Sequence, residues 1–327
     1  MPKTAAWPRI GVMGGGAVGG YYGFMLARAG APVALVGREA HVAAIRAQGL
    51  RLTSSAFDEH VRMEASTDPG VLGDADIVLF CTKTRDTAAG AVALQALLNP
   101  SAIVLAFQNG IDGAERLASI LPHTIFPAAL FVSCQILGPG HVRHNGRGDV
   151  TLGEHLPGRP DAGERLRRLR STADVLDRAL IPTTVVDDIR AVQWTKLAMN
   201  CAYNAISALG RARYQRLAET EPSRTLMRQI VLELLAVAKA DGVGLDPDVV
   251  MQQVMDLAGG MPGAISSTGQ DILAGRPTEV DDLNGYVVRR GQALGVNTPV
   301  NETLRLLISV LEQSPPDPGF DSYRWKE

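Results

Sequence analysis

Through the first half of the chain, short apolar runs rich in β-branched residues alternate with amphipathic stretches. Residues 9–13 (RIGVM) predict a buried strand, and residues 17–30 a helix that Gly30 terminates. Residues 32–37 predict the next strand, and residues 41–49 a helix ending at Gly49. The alternating stretches 50–55 and 59–66 predict a hairpin. Residues 76–82 (DIVLFCT) and 101–107 (SAIVLAF) predict two more buried strands, each followed by a turn and a helix. That cadence predicts a parallel, doubly wound sheet. Residues 141–146, 149–154 and 181–188 read as later strands with polar, looped connections.

From about Ile189 the period changes. Residues 191–209, 223–242, 247–259, 278–295 and 301–313 all repeat apolar positions at helical spacing, and several end in Gly or begin beside Pro, Ser or Asn. The expected organisation is an α/β domain over 7–188, a mainly helical domain over 189–313, and a mobile tail, rich in proline and charge, over 314–327.

Composition narrows the function classes. Of 327 residues, 46% are hydrophobic, enough for packed cores in two domains. The formal net charge is −2 with no long run of one sign, which argues against a nucleic-acid or anionic-membrane surface. Cys81, Cys134 and Cys201 are scattered, odd in number and without the paired spacing of a zinc site. No ligand cluster for a metal stands out. Free thiols, the lack of a signal-peptide pattern and apolar runs too short for a span all point to a cytoplasmic protein.

The first chemistry lies between the first strand and its helix. Gly14-Gly15-Gly16-Ala17-Val18-Gly19 fits G-x-G-x-x-G, which brings a dinucleotide pyrophosphate to a helix N-terminus. In that reading Gly14 permits the tight turn, Gly16 the close approach of the phosphates, and Gly19 the packing of helix on strand. The second strand ends Val36-Gly37-Arg38. An acidic residue there, about 20 residues past the motif, would read an NAD ribose. Arg38 instead suits a 2′-phosphate, so NADP is expected; Glu39 is the acidic reader if the strand runs one residue longer. Lys83 and Asn109 follow two further strands, where ligands bind in open α/β sheets, although Asn-Gly is also an ordinary turn.

The second half carries a polar stripe. Lys196, Asn200 and Asn204 recur every fourth residue of an otherwise apolar helix. Such groups need partners when buried; a ligand answers that need, and so does solvent. A second cluster holds Ser267 and Asp271 on one helical face, with Glu279 opening the next helix behind Thr278 as its cap.

Together these elements resemble the ketopantoate reductase (2-dehydropantoate 2-reductase) family over residues 9–312: GGGAVGG, the arginine after the second strand, CTK at 81–83, QNG at 108–110, WTKLAMNCAYNAISAL at 194–209 and SSTGQDILAGRPTEVDDLNG at 266–285. The resemblance implies a Rossmann-type domain followed by a helical domain like the C-terminal one of 6-phosphogluconate dehydrogenase. It implies NADPH on residues 14–19 with Arg38 at the 2′-phosphate, and Lys83, Asn109 and Glu279 toward the nicotinamide ribose. It implies hydride transfer to C2 of ketopantoate with Lys196 as general acid, Glu279 positioning it, and Asn109, Asn200, Asn204 and Ser267 on the substrate. Two positions depart from the family pattern: Thr268-Gly269 follows the paired serines, and Tyr214 stands where some members have an asparagine. Both leave the chemistry and put the oxo acid in question. The alternatives are a reductase of another bulky 2-oxo acid and a non-catalytic dinucleotide sensor. The apolar helices also offer a surface for a homodimer.

Overall fold

A computed structural model describes residues 6–155 and 161–314. All but the first residue of the expected tail lie outside the described residues. The chain divides into two compact units, with the division between Ile189 and Arg190.

The first unit runs β1 (Ile10–Met13), α1 (Ala17–Arg28), β2 (Val33–Val36), α2 (Glu39–Gln48), β3 (Leu50–Thr53), β4 (Asp58–Val61), β5 (Glu64–Ser66), β6 (Ile77–Phe80), α3 (Thr87–Gln95), β7 (Ile103–Ala106), α4 (Gly113–Ala118), β8 (Thr124–Gly138), β9 (His141–Leu152), α5 (Ala162–Arg178) and β10 (Thr183–Val185). Its sheet orders the strands β4-β3-β9-β8-β7-β6-β1-β2-β5, with β10 beside β9. From β5 to β8 every pairing is parallel, and the succession β5-β2-β1-β6-β7-β8 is the 3-2-1-4-5-6 order of dinucleotide-binding sheets. Buried residues alternate between two cores. Val12, Leu35 and Leu79 pack with Phe24, Leu26, Leu169 and Leu176, while Met13, Val78, Phe80 and Val104 pack with Ala91, Leu94 and Leu117. Helices therefore cover both faces, as continuous apolar strands require.

The sheet differs from the sequence expectation in three places. Residues 59–66 split: β4 pairs antiparallel with β3, whereas β5 leaves to pair parallel with β2. The stretches 141–146 and 149–154 are not two strands with a loop between them. Up to Leu152 they belong to the single strand β9, antiparallel to β8, a fifteen-residue strand that the sequence reading did not anticipate. The glycines that resemble a turn serve bulges instead. Gly146 (φ 153°), Arg147 (φ 58°) and Gly148 (φ 140°) lie within β9, and the register shifts between Phe131 and Val132 and between Ser133 and Cys134 of its partner. A Cβ on Gly148 would stand 2.1 Å from the Tyr21 hydroxyl, so only glycine fits there. Helix α5 was also unforeseen. It is strongly charged, and only Leu169, Thr172, Ala173, Val175 and Leu176 are buried.

The second unit runs α6 (Arg190–Gly210), α7 (Tyr214–Glu219), α8 (Glu221–Ala240), α9 (Pro247–Gly260), α10 (Ser267–Leu273), α11 (Asn284–Leu294) and α12 (Pro299–Gln313). Helix α6 is its axis, packed by α8, α9, α10 and α12, with Trp194 and Tyr203 fully enclosed. Capping is local and legible: Asp246 accepts from the amides of Asp248 and Val249 ahead of Pro247 at the start of α9, and Ser266 accepts from Gly269 at the start of α10. One expectation fails here. Glu279 does not open a helix, because α11 begins five residues later at Asn284. Thr278 caps a turn, its hydroxyl accepting from the Val280 amide at 3.2 Å. Leu283, at φ −104° and ψ −94°, interrupts the helical path before Asn284.

Candidate active site

The glycine turn joins β1 to α1 at the point where strand order reverses, between β1 and β6. The amides of Gly14 and Gly15 both donate to the Val36 carbonyl, at 3.1 and 2.7 Å, which pins the turn to the end of β2. Gly14 has φ +107°, and a Cβ there would lie 2.8 Å from the Thr82 amide nitrogen. Gly19 is the tightest contact: its Cβ would stand 2.1 Å from the Gly14 carbonyl oxygen. At Gly16 a Cβ would meet nothing within 4 Å. No side chain caps α1, and no acidic residue occupies its first turn. The amides of Ala17, Val18 and Gly19 thus open α1 as an anion-binding end, a fit for a pyrophosphate.

Strand β2 stops at Val36, so Arg38 lies two residues beyond it as the exposed residue that opens α2. Glu39 is already the first residue of that helix. The condition under which Glu39 becomes the ribose reader, a longer strand, is not met.

After β6, Cys81 lies against the glycine turn, its amide donating to Met13 at 2.8 Å. Burial, with Cys134 nearby, pushes its thiol far above the ordinary range, which disfavours the thiolate form. Lys83 follows, half-buried, one residue before a short 3₁₀ turn at Thr84–Asp86. Asn109, also half-buried, follows β7. The residue that ties these two segments together is Gln108, which the sequence reading quoted without a role. Its side-chain nitrogen donates to Thr82 O at 2.9 Å and Thr87 Oγ1 at 2.8 Å. A buried glutamine ending an apolar strand demands such partners, and that demand was the available signal.

In the second unit, Lys196 and Asn200 are half-buried on α6, and Asn204 is 3% exposed. Solvent therefore does not satisfy the Asn204 end of the stripe. Asn204 Nδ2 donates to Ser267 Oγ at 3.4 Å, and its Oδ1 accepts from the Tyr214 hydroxyl at 3.5 Å. Ser267 itself is exposed. Ser266, quoted in the sequence without a role, donates its hydroxyl to the Asn204 carbonyl at 3.1 Å and binds α10 to α6. Asp271 is buried and bonds Arg276 at 3.0 Å, bracing the loop toward Glu279, which is 7% exposed.

Comparisons with known proteins bear on the family and the fold. The model of the family described as ketopantoate reductase PanE/ApbA matches residues 10–157, and that of its C-terminal domain matches residues 188–312. A 2-dehydropantoate 2-reductase of Halobacterium salinarum is 33% identical over 308 residues, covering 93% of this chain and 99% of the relative. The crystal structure of a PanE/ApbA family ketopantoate reductase from Ralstonia eutropha JMP134 superposes with a TM-score of 0.85 at 42% identity, covering 93% and 98% of the two chains. A D-mandelate dehydrogenase bound to NADH and anilino(oxo)acetate superposes with a TM-score of 0.86 at 25% identity, over the same shares.

The 3-2-1-4-5-6 sheet with a glycine turn at its switch point is a dinucleotide-binding architecture, and with these relatives it defines the class as an oxidoreductase that uses a nicotinamide dinucleotide. More narrowly, the chain belongs to the ketopantoate reductase PanE/ApbA family. Among the described residues, no helix is long and apolar enough to cross a membrane.

Proposed function

We propose that the protein reduces 2-dehydropantoate to pantoate with NADPH, the reductive step that feeds pantothenate synthesis. The observation that carries the reading is the line of Lys196, Asn200 and Asn204 along α6, its last member bonded to Ser267, in a chain of this family. The amides of Ala17, Val18 and Gly19 receive the pyrophosphate, with Gly14, Gly15 and Gly16 shaping the turn. Arg38 takes the 2′-phosphate as a planar fork. Lys83 and Asn109, past the ends of β6 and β7, are assigned to the nicotinamide-ribose side. NADPH, when bound, would supply the hydride for C2 of the oxo acid. As charge builds on the carbonyl oxygen, the Lys196 ammonium stabilises it and gives up a proton, so that one hydride and one proton make the hydroxyl. Glu279 keeps that ammonium in place. Asn200, Asn204 and Ser267 donate hydrogen bonds to the carboxylate and hydroxyl oxygens.

The test is NADPH oxidation followed at 2-dehydropantoate, 2-oxoisovalerate, pyruvate and phenylglyoxylate. The reading expects the highest kcat/KM for 2-dehydropantoate; a value no higher than the others removes the specific assignment. A second reading, reduction of another bulky 2-oxo acid, is favoured by Tyr214. That residue is enclosed against Tyr203 and bonded to Asn204, at one of the two positions where the sequence departs from the pattern of the family it resembles. The likeness to D-mandelate dehydrogenase makes phenylglyoxylate the informative competitor.

Arg38→Ala tests the cofactor. Hydrogen bonds to a charged group contribute about 1.5–3 kcal/mol, so NADPH binding should weaken roughly tenfold to a hundredfold while NADH binding holds. Isothermal titration with each dinucleotide reads this directly, and equal losses for both would refute the 2′-phosphate role.

A further inference from the structure

Tyr214 opens α7 and is 8% exposed. Its amide donates to the Ala264 carbonyl and that of Gln215 to the Pro262 carbonyl, each at 3.1 Å. The start of α7 is therefore docked along the loop that leads into α10 and Ser267. The ring lies against Tyr203, 4.6 Å between centroids, and the hydroxyl donates to Asn204 Oδ1 at 3.5 Å. On the far side of the same amide, Nδ2 donates to Ser267 Oγ at 3.4 Å. The backbone at both ends of this chain is fixed, because Ser266 donates to the Asn204 carbonyl and accepts from the Gly269 amide at 3.0 Å.

We propose that Tyr214 is a positioning residue for substrate recognition: it fixes the Asn204 amide with oxygen toward itself and nitrogen toward Ser267, so that the Ser267 hydroxyl proton is presented outward to an anionic oxygen of the oxo acid. This rests on the reading that Asn204 and Ser267 face the substrate. A phenol has one proton, and a buried hydroxyl without an acceptor is costly. Burial raises the phenol's pKa, with Tyr203 adding to the effect, so it stays protonated and acts as the donor. Once Oδ1 is engaged, the nitrogen is the amide atom left for Ser267. The serine oxygen then accepts, and its own proton has to leave on the open side, where Ser267 is exposed. A carboxylate takes such a proton. Without the phenol the amide is released to turn over, Oδ1 captures the serine proton, and the same wall shows lone pairs to an anion. Tyr214 itself touches no substrate in this scheme; it acts through Asn204.

Both hydrogen bonds are long, so the effect expected is moderate. Tyr214→Phe keeps the ring and its contact with Tyr203. It should raise KM for the preferred 2-oxo acid about tenfold, with kcat within about twofold and NADPH affinity unchanged, the pattern of a lost ground-state contact. In an Asn204→Ala background the same change should move KM by less than about twofold, because the phenol has nothing left to orient. A merely structural phenol would affect both backgrounds alike. An unchanged KM in the Tyr214→Phe protein, or an equal rise in both backgrounds, overturns the proposal while leaving the functional reading intact. A wild-type protein that turns over no 2-oxo acid with NADPH overturns the functional reading itself, and this proposal with it.

Discussion

Lys196→Ala should lower kcat for oxo-acid reduction by about a hundredfold or more, with little change in NADPH affinity. General acid catalysis is worth roughly 10²–10⁴-fold, and the lysine is asked to supply both the proton and the positive charge facing the developing alkoxide. Its setting on α6 suits the task. Trp194 is fully buried two residues before it and Leu197 is buried beside it, so this turn of the helix is anchored while the lysine side chain is only half-buried. Alanine removes the ammonium without disturbing the buried face of the helix, so the loss should fall on turnover rather than on folding. Lys196→Arg adds a second reading, since arginine keeps the charge but does not readily give up its proton. It should recover no more than about tenfold of the loss if the proton matters most. Single-turnover measurements with saturating NADPH isolate this step from product release. Near-normal turnover in Lys196→Ala would make another group the acid.

The sequence announced the elements that carry phosphate and proton chemistry more clearly than those that frame them. Residues 10–13, 33–36, 77–80 and 103–106 are short apolar runs with turn signals on both sides, and each forms a strand. Their parallel pairing follows from the helices between them. By contrast, β8 and β9 were obscured because a bulged hairpin breaks the alternation on which strand reading depends. Arg147 in the left-handed region between two glycines looks like a loop; in three dimensions its guanidinium lies 4.4 Å from the Phe131 ring and bonds Asp149. Within the candidate site, periodicity alone put Lys196, Asn200 and Asn204 on one face. The bonds from Asn204 to Ser267 and Tyr214 join residues 63 and 10 positions away, and no local pattern encodes a contact made by tertiary packing. Glu279 shows the same limit in reverse, because a threonine cap before an acidic residue serves a turn as readily as a helix.

Substituting two glycines of the same motif should separate stability from binding. Gly19→Ala forces a methyl group to within 2.1 Å of the Gly14 carbonyl and 2.9 Å of Val12 Cγ1. A backbone oxygen in a turn held by two hydrogen bonds from residues 14 and 15 to Val36 has little freedom to yield. Overpacking of this kind destabilises by about 3 kcal/mol at the upper end of its usual range. For a unit of this size that corresponds to a fall in Tm of roughly 6–12 °C, visible by calorimetry without any dinucleotide. Gly16→Ala is the opposite case. Its methyl group meets no protein atom within 4 Å, and the backbone at φ −75° and ψ −165° is one alanine adopts readily. Tm should therefore stay within about 1 °C of the wild type. NADPH affinity should nonetheless fall about tenfold or more, because the methyl group occupies the space into which the phosphates approach the helix end. The comparison turns on the difference between the two variants. If Gly16→Ala binds NADPH as tightly as the wild type, the pyrophosphate does not lie over this turn, and the shared stretch 14–19 serves packing alone.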